Sequence, residues 1–376
     1  MNDHLSRSEK GSSSGSNRLL FIDVARSLAI VLVLVMHAVN AFGGIQMMGV
    51  ENELKVRLFT RNIPGLFIFM FGMMLELVYR RKWEAVGAAQ PSRRLVVRSF
   101  QCFVGYQVTV LAGLIAGLAS PKLSLKASLF LASAEFGNIL RFYAFALLLA
   151  IPLLALRVKF GKAVLVALLV GIWGTYPWIE SLEWSRSSML SFPLGVLFGP
   201  MGHLVGPSVL QGMTFVLVGM LCASGLSNWR EEGLARFRRI TATVALIAGG
   251  IVLYLILQSS AGEVFRSFAG IEWRRLNHPG WYSIGLMNCS LALIALSYLF
   301  PPGTKASPWL APLLTFGRSS LMAFTAGNVM LIFLKGRVVP TSALSTAMAV
   351  ALFFVVLWLV LRVKEQTWDR RRALSG

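Results

Sequence analysis

The chain has 376 residues, 56% of them hydrophobic and only 14% charged, with a formal net charge of +20. An ordinary soluble domain carries about 25% charged residues, so composition excludes that class and predicts an all-α polytopic membrane protein whose general partner is the lipid bilayer. The basic excess lies in short segments between apolar runs and not on one soluble face, so no nucleic-acid partner is expected.

In chain order, residues 1–17, with Gly11-Ser-Ser-Ser-Gly-Ser16, read as a flexible tail. The apolar run behind it is long enough to span and lacks a small-residue cleavage pattern, so it reads as the first membrane helix and not as a signal peptide. Runs of spanning length fall at 19–42, 62–79, 99–119, 138–156, 163–179, 207–226, 240–257, 281–300, 309–334 and 341–361. They predict about ten transmembrane helices in one bundle over residues 18–362. Met189 to Pro200 is apolar but too short to cross, and reads as re-entrant or interfacial. Residues 363–376 form a basic tail. Lys and Arg favour the set of segments that includes both termini by roughly two to one, which predicts that both termini are cytoplasmic. Cys102, Cys222 and Cys289 fall in apolar spans and suggest neither a disulfide framework nor a metal cluster.

The first run carries three ionisable residues, Asp23, Arg26 and His37. Such groups are costly inside a bilayer and usually face a protein interior or a water-filled cavity. Asp23 lies one turn before Arg26, a spacing at which the two can pair. From Arg26, steps of about 100° return His37 to within roughly 20° of the same face, about 16 Å along the axis. One helix face therefore presents an ion pair at one end and, at the other, an imidazole able to titrate near neutral pH. Glu76 and Arg318 fall inside the second and ninth runs, where they either pair with each other or contact substrate. Arg141, near the outer end of the fourth, is a weaker candidate. Arg274-Arg275-Leu-Asn-His278-Pro-Gly-Trp281-Tyr282 combines cations, an imidazole and aromatic rings at the start of the eighth run; it suits either acceptor contact or interfacial anchoring. His203 reads as a loop histidine.

Asp23-x-x-Arg26 followed ten residues later by His37 resembles the first-helix signature of the acyltransferase 3 superfamily. Leu66 to Leu75 with the basic loop behind it, Asn138-Ile-Leu-Arg-Phe-Tyr143 with Pro152, and Phe316-Gly-Arg-Ser-Ser-Leu321 with Phe324 are similar to segments of its OpgC-like branch, the periplasmic glucan succinyltransferases. The resemblance implies a donor, acyl-CoA, taken from the cytoplasmic side, and an acceptor hydroxyl on an envelope glycan or glycolipid. No permanently bound cofactor and no metal are implied.

On that resemblance His37, Arg26 and Asp23 are catalytic. His37 either accepts the hydroxyl proton or takes the acyl group itself. Arg80, Arg81, Arg93, Arg94 and Arg98 are expected in a basic loop that binds coenzyme A phosphates, for which Arg forks are suited. His278, Arg275, Trp281, Arg318 and Glu76 are expected at the acceptor. The competing reading of the same ionisable residues is a secondary transporter or flippase for an envelope precursor, with Arg26, His37, Glu76 and Arg318 as a proton or anion relay.

Overall fold

The structure is a computed structural model describing residues 19–375 apart from 48, 182–190, 200–206, 228–230 and 271. The expected tail at 1–17, His203 and the ends of the Met189–Pro200 piece lie outside the described residues; within that piece Ser191–Phe198 forms a short helix.

The membrane helices are α1 (Leu20–Ala41), α3 (Ile63–Met74), α4 (Ala89–Ile115), α5 (Asn138–Phe160), α6 (Ala163–Gly174), α7 (Val209–Ala223), α8 (Glu231–Gln258), α9 (Pro279–Leu299), the bent pair α10 (Ala311–Arg318) and α11 (Ser320–Leu334), and α12 (Ala343–Ser375); α2 (Gly49–Thr60) precedes α3. Among the described residues nine helices are long and apolar enough to cross a membrane, and the bent pair makes ten if counted as one broken span. Described residues contain no strand. The expected number of spans therefore stands.

Packing centres on α7, whose span is 89% buried. It crosses α3 with backbone against backbone: a Cβ on Gly72 would meet the carbonyl of Val216 at 2.1 Å, and one on Gly219 the carbonyl of Phe69 at 2.2 Å. Small residues at such crossings let the helices gain contact that lipid cannot replace. Phe69, Phe215, Trp281 and Tyr282 fill the core around this crossing.

Three boundaries differ from the sequence reading. α3 does not stop near 79 but continues through a π-helical turn, Leu75–Arg80, into Arg81–Val86. The chain then reverses at Gly87, whose φ of 78° favours glycine, and α4 begins at Ala89. The expected basic loop at 80–98 is thus mostly helical, with Arg93, Arg94 and Arg98 exposed on the first turns of α4. The expected tail at 363–376 is largely the continuation of α12. The ninth run is broken: α10 and α11 meet at 81° because Ser319 leaves helical geometry (φ −103°, ψ 34°).

Candidate active site

α1 positions the central group. His37 lies near its C-terminal end, where its Nδ1 is 2.8 Å from Oδ1 of Asn328 on α11. The other side of that carboxamide, Nδ2, donates to the carbonyl of Phe136 at 3.0 Å. A carbonyl only accepts, so Nδ2 must face Phe136 and Oδ1 must face the imidazole. His37 therefore donates from Nδ1, and the lone pair sits on Nε2, the arrangement required of a base or nucleophile. The ring is held between Phe136 (centroids 4.6 Å apart) and Phe324 (5.9 Å). Phe136 adopts φ 55°, a left-handed conformation that bulky residues rarely take; backbone strain of this kind clusters at functional sites.

His37 lines a cavity of about 530 Å³. One wall is the apolar face of α1 from Ala29 to Met36, so the cavity runs from His37 to within a turn of Arg26. The other walls carry Arg57, Arg61, Arg141, Arg274 and Glu135. Arg57 pairs with Glu53 at 2.5 Å. Glu135 pairs with Lys335, which ties the strand of chain carrying Phe136 to the end of α11. Arg274 lies outside the spans. Burial, and after it the charge of Arg61, pull it down to about 9, so it remains a cation at neutral pH.

The expected site residues are not all gathered here. Asp23 and Arg26 do pair, at 2.9 Å, but at the opposite end of α1 and outside the cavity lining. Beside them Gly317 packs against Ser27; a Cβ there would meet Ser27 Oγ at 2.1 Å. Glu76 is buried, yet it neither pairs with Arg318 nor lines the cavity. It holds Arg157 through two contacts, 2.6 and 3.1 Å, and Arg80 at 2.9 Å. Arg318, expected deep in a span, is exposed at the α10–α11 elbow, because the helix ends there.

The acceptor segment is also corrected. Trp281 is buried in the core against Phe215 and Tyr282, where no sugar can stack on it. His278 caps α9, its Nδ1 accepting from the backbone N–H of Gly280 at 3.1 Å, and it stacks on Trp273 at 4.4 Å. Arg275, part-buried beside them, does not line the cavity, whereas its neighbour Arg274 does. Of the donor cluster, Arg80 is held by Glu76 and Glu84 and Arg81 donates to the carbonyl of Leu226 at 3.0 Å. Arg98 donates to Gln101 at 3.2 Å.

Sequence reasoning missed Asn328, although a lone Asn inside an apolar run was a usable signal. It also missed Arg57 and Arg61 as cavity walls, since their charges counted only toward topology; Arg274 stood in the expected acceptor segment, and it is this residue of the segment that lines the cavity.

A helical membrane bundle that holds an imidazole in one tautomer beside a cationic cavity has the make-up of an integral membrane transferase. The profile of the family described as "Heparan-alpha-glucosaminide N-acetyltransferase, catalytic" matches residues 18–224, more than half of the chain, and the chain belongs to that family. It is a membrane acyltransferase. No curated protein matches it. The matched stretch holds Asp23, Arg26, His37, Arg61, Glu76, Arg141 and Arg157, and ends before Arg274, Arg318 and Asn328.

Proposed function

We propose that this chain moves an acyl group, acetyl or succinyl, from acyl-CoA to a hydroxyl of a cell-envelope glycan or glycolipid, as a multi-pass protein of the inner membrane with both termini cytoplasmic. The observation that carries this reading is His37, fixed by Asn328 with Nε2 left to accept a proton, in the wall of a cavity whose lining continues along α1 to Ala29, one turn from Arg26. An alcohol attacking a thioester must lose its proton as the new bond forms, and a placed imidazole contributes about 10²–10⁴-fold to such a step. In the nucleophilic alternative Nε2 attacks the thioester carbonyl, the thiolate leaves, and the acyl-imidazole then passes its acyl group to the hydroxyl.

On this reading the His37 end faces outside and the Asp23 end, with Arg93, Arg94 and Arg98, faces the cytoplasmic donor side, an orientation that the Lys and Arg asymmetry of the connecting segments supports. The family's printed name concerns acetyl transfer to an amino sugar, and the segments similar to the OpgC-like branch favour succinyl transfer to a glucan hydroxyl. The test is release of free coenzyme A by purified protein from acetyl- or succinyl-CoA when envelope glycans are supplied, with the product exposed to mild alkali. An alkali-labile ester is the expected outcome, and an alkali-stable amide would move the acceptor atom to nitrogen. Glycan movement across vesicles without release of coenzyme A would replace the reading with the transporter one.

A further inference from the structure

Three guanidiniums face the cavity with no carboxylate partner among the described residues. Arg61 donates from Nε to the carbonyl of Ala269 at 3.0 Å. Arg141, 4% exposed, reaches the carbonyl of Ala132 only at 3.5 Å and lies over the Phe192 ring at 5.3 Å. Arg274 Nε is buried with no hydrogen-bond acceptor among the described residues. Glu135, the carboxylate in the cavity lining, is taken by Lys335, and Glu53 is taken by Arg57. Like charges converging at partly buried positions repel, and each loses hydration. A site that keeps three of them beside a reactive imidazole is built for an anion that arrives and leaves, since a resident carboxylate would have cancelled the charge.

We propose that this cavity binds an oxyanion, a carboxylate or phosphate group of the reacting molecule, through Arg61, Arg141 and Arg274. The assignment of that molecule rests on the acyl-transfer reading; the anion site itself does not. Planar forks suit such groups bidentately, and about 530 Å³ falls within the usual range for a small-ligand site. The anion has two sources: the free carboxylate of a succinyl-type acyl group, or an acidic substituent on the acceptor sugar.

The experiment reads binding without turnover. A cysteine replacing Val33 in the cavity wall (V33C) is labelled by a small maleimide in otherwise intact, folded protein, in the presence of glucuronate, succinate, inorganic phosphate or glucose at constant ionic strength. Saturable protection by the oxyanions, absent with glucose and with chloride, is expected. R61Q and R274Q in the same background should each weaken protection by about tenfold or more, the scale of one charge-assisted contact. Equal protection by glucose or chloride, no protection, or undiminished protection in both folded Arg→Gln variants would overturn the proposal. If both variants fail to fold, the ligand comparison in the V33C protein decides. Source is then read by donor and acceptor: loss in R61Q confined to succinyl-CoA assigns the anion to the acyl group, and loss confined to uronate-bearing glycan assigns it to the acceptor. Protection without coenzyme A release keeps the anion site and removes the acyl-transfer reading; turnover without protection removes the anion site alone.

Discussion

Asn328 accepts the Nδ1 hydrogen of His37 at 2.8 Å across 291 positions of sequence. The contact selects one of the two neutral tautomers and leaves the lone pair on Nε2, and its geometry is fixed in turn by the Phe136 carbonyl. Replacing Asn328 by Ala should therefore lower kcat by about tenfold or more, less than removing the imidazole itself, while KM for the donor changes little. A merely structural role would lower expression and thermal stability in step with activity. Equal kcat in a well-folded Asn328→Ala protein would remove Asn328 from the positioning of His37.

His37→Ala should cost about 10²–10⁴ in acyl transfer, the contribution of a general base, and should leave the spans inserted because it shortens no helix. Trapping on the wild type and the Ala variant separates the two chemistries: an acyl-protein adduct seen in wild type after donor alone, and lost with His37, marks the nucleophilic route. Turnover within tenfold of wild type in a folded His37→Ala protein would exclude both.

Glu76 and Arg157 form a buried pair that the π-helical turn brings together. Removing one partner leaves the other charged in an apolar surround, a loss of about 3–5 kcal/mol, whereas replacing both by apolar residues is often close to neutral. Glu76→Leu should thus lower the melting temperature in detergent strongly, and Glu76→Leu with Arg157→Met should recover most of it. A double variant as unstable as the single would assign the loss to the other contact of Glu76, with Arg80 at 2.9 Å, and not to the Arg157 pair.

The sequence made the helices legible because a bilayer demands long apolar runs, and each of the ten expected runs has a helical counterpart. It misplaced Arg318 for the same reason: hydropathy averages over Gly317 to Ser320 and cannot see that Ser319 leaves the helix. The site was legible only along one helix. Asp23, Arg26 and His37 share α1, so spacing alone related them. Asn328 and Arg157 meet their partners across 291 and 81 positions, and no local period encodes such contacts. Arg61, Arg141 and Arg274 looked like loop or interface charge until folding turned them onto one cavity.

His278 provides a pH prediction. Burial pulls its pKa below the ordinary value near 6.5, with Glu180 opposing. Its Nδ1 must stay unprotonated to cap α9. Between the lowered folded value and about 6.5 the unfolded chain binds more protons than the folded one, so the contribution to stability is present above about 6.5 and is lost as pH falls below it. Melting temperature should fall on acidification through that window. His278→Asn, whose side-chain oxygen can still accept from the helix N–H, should flatten the dependence; an unchanged slope would assign it to other groups.

The donor side gives the last test. Arg93, Arg94 and Arg98 stand exposed on the first turns of α4, whereas Arg80 is already held by two carboxylates. Of the expected phosphate-binding cluster, the α4 residues are thus the ones with forks facing solvent. Phosphate recognition is mainly uniform binding, which helps ground and transition states alike. Neutralising Arg93, Arg94 and Arg98 together should therefore raise KM for acyl-CoA while kcat and KM for the acceptor stay near wild type. Added salt should mimic part of the effect, since exposed charges are screened beyond about 8 Å at physiological ionic strength. A triple variant with unchanged donor KM, or with a changed acceptor KM instead, would turn this face away from the coenzyme and with it the orientation of the whole bundle.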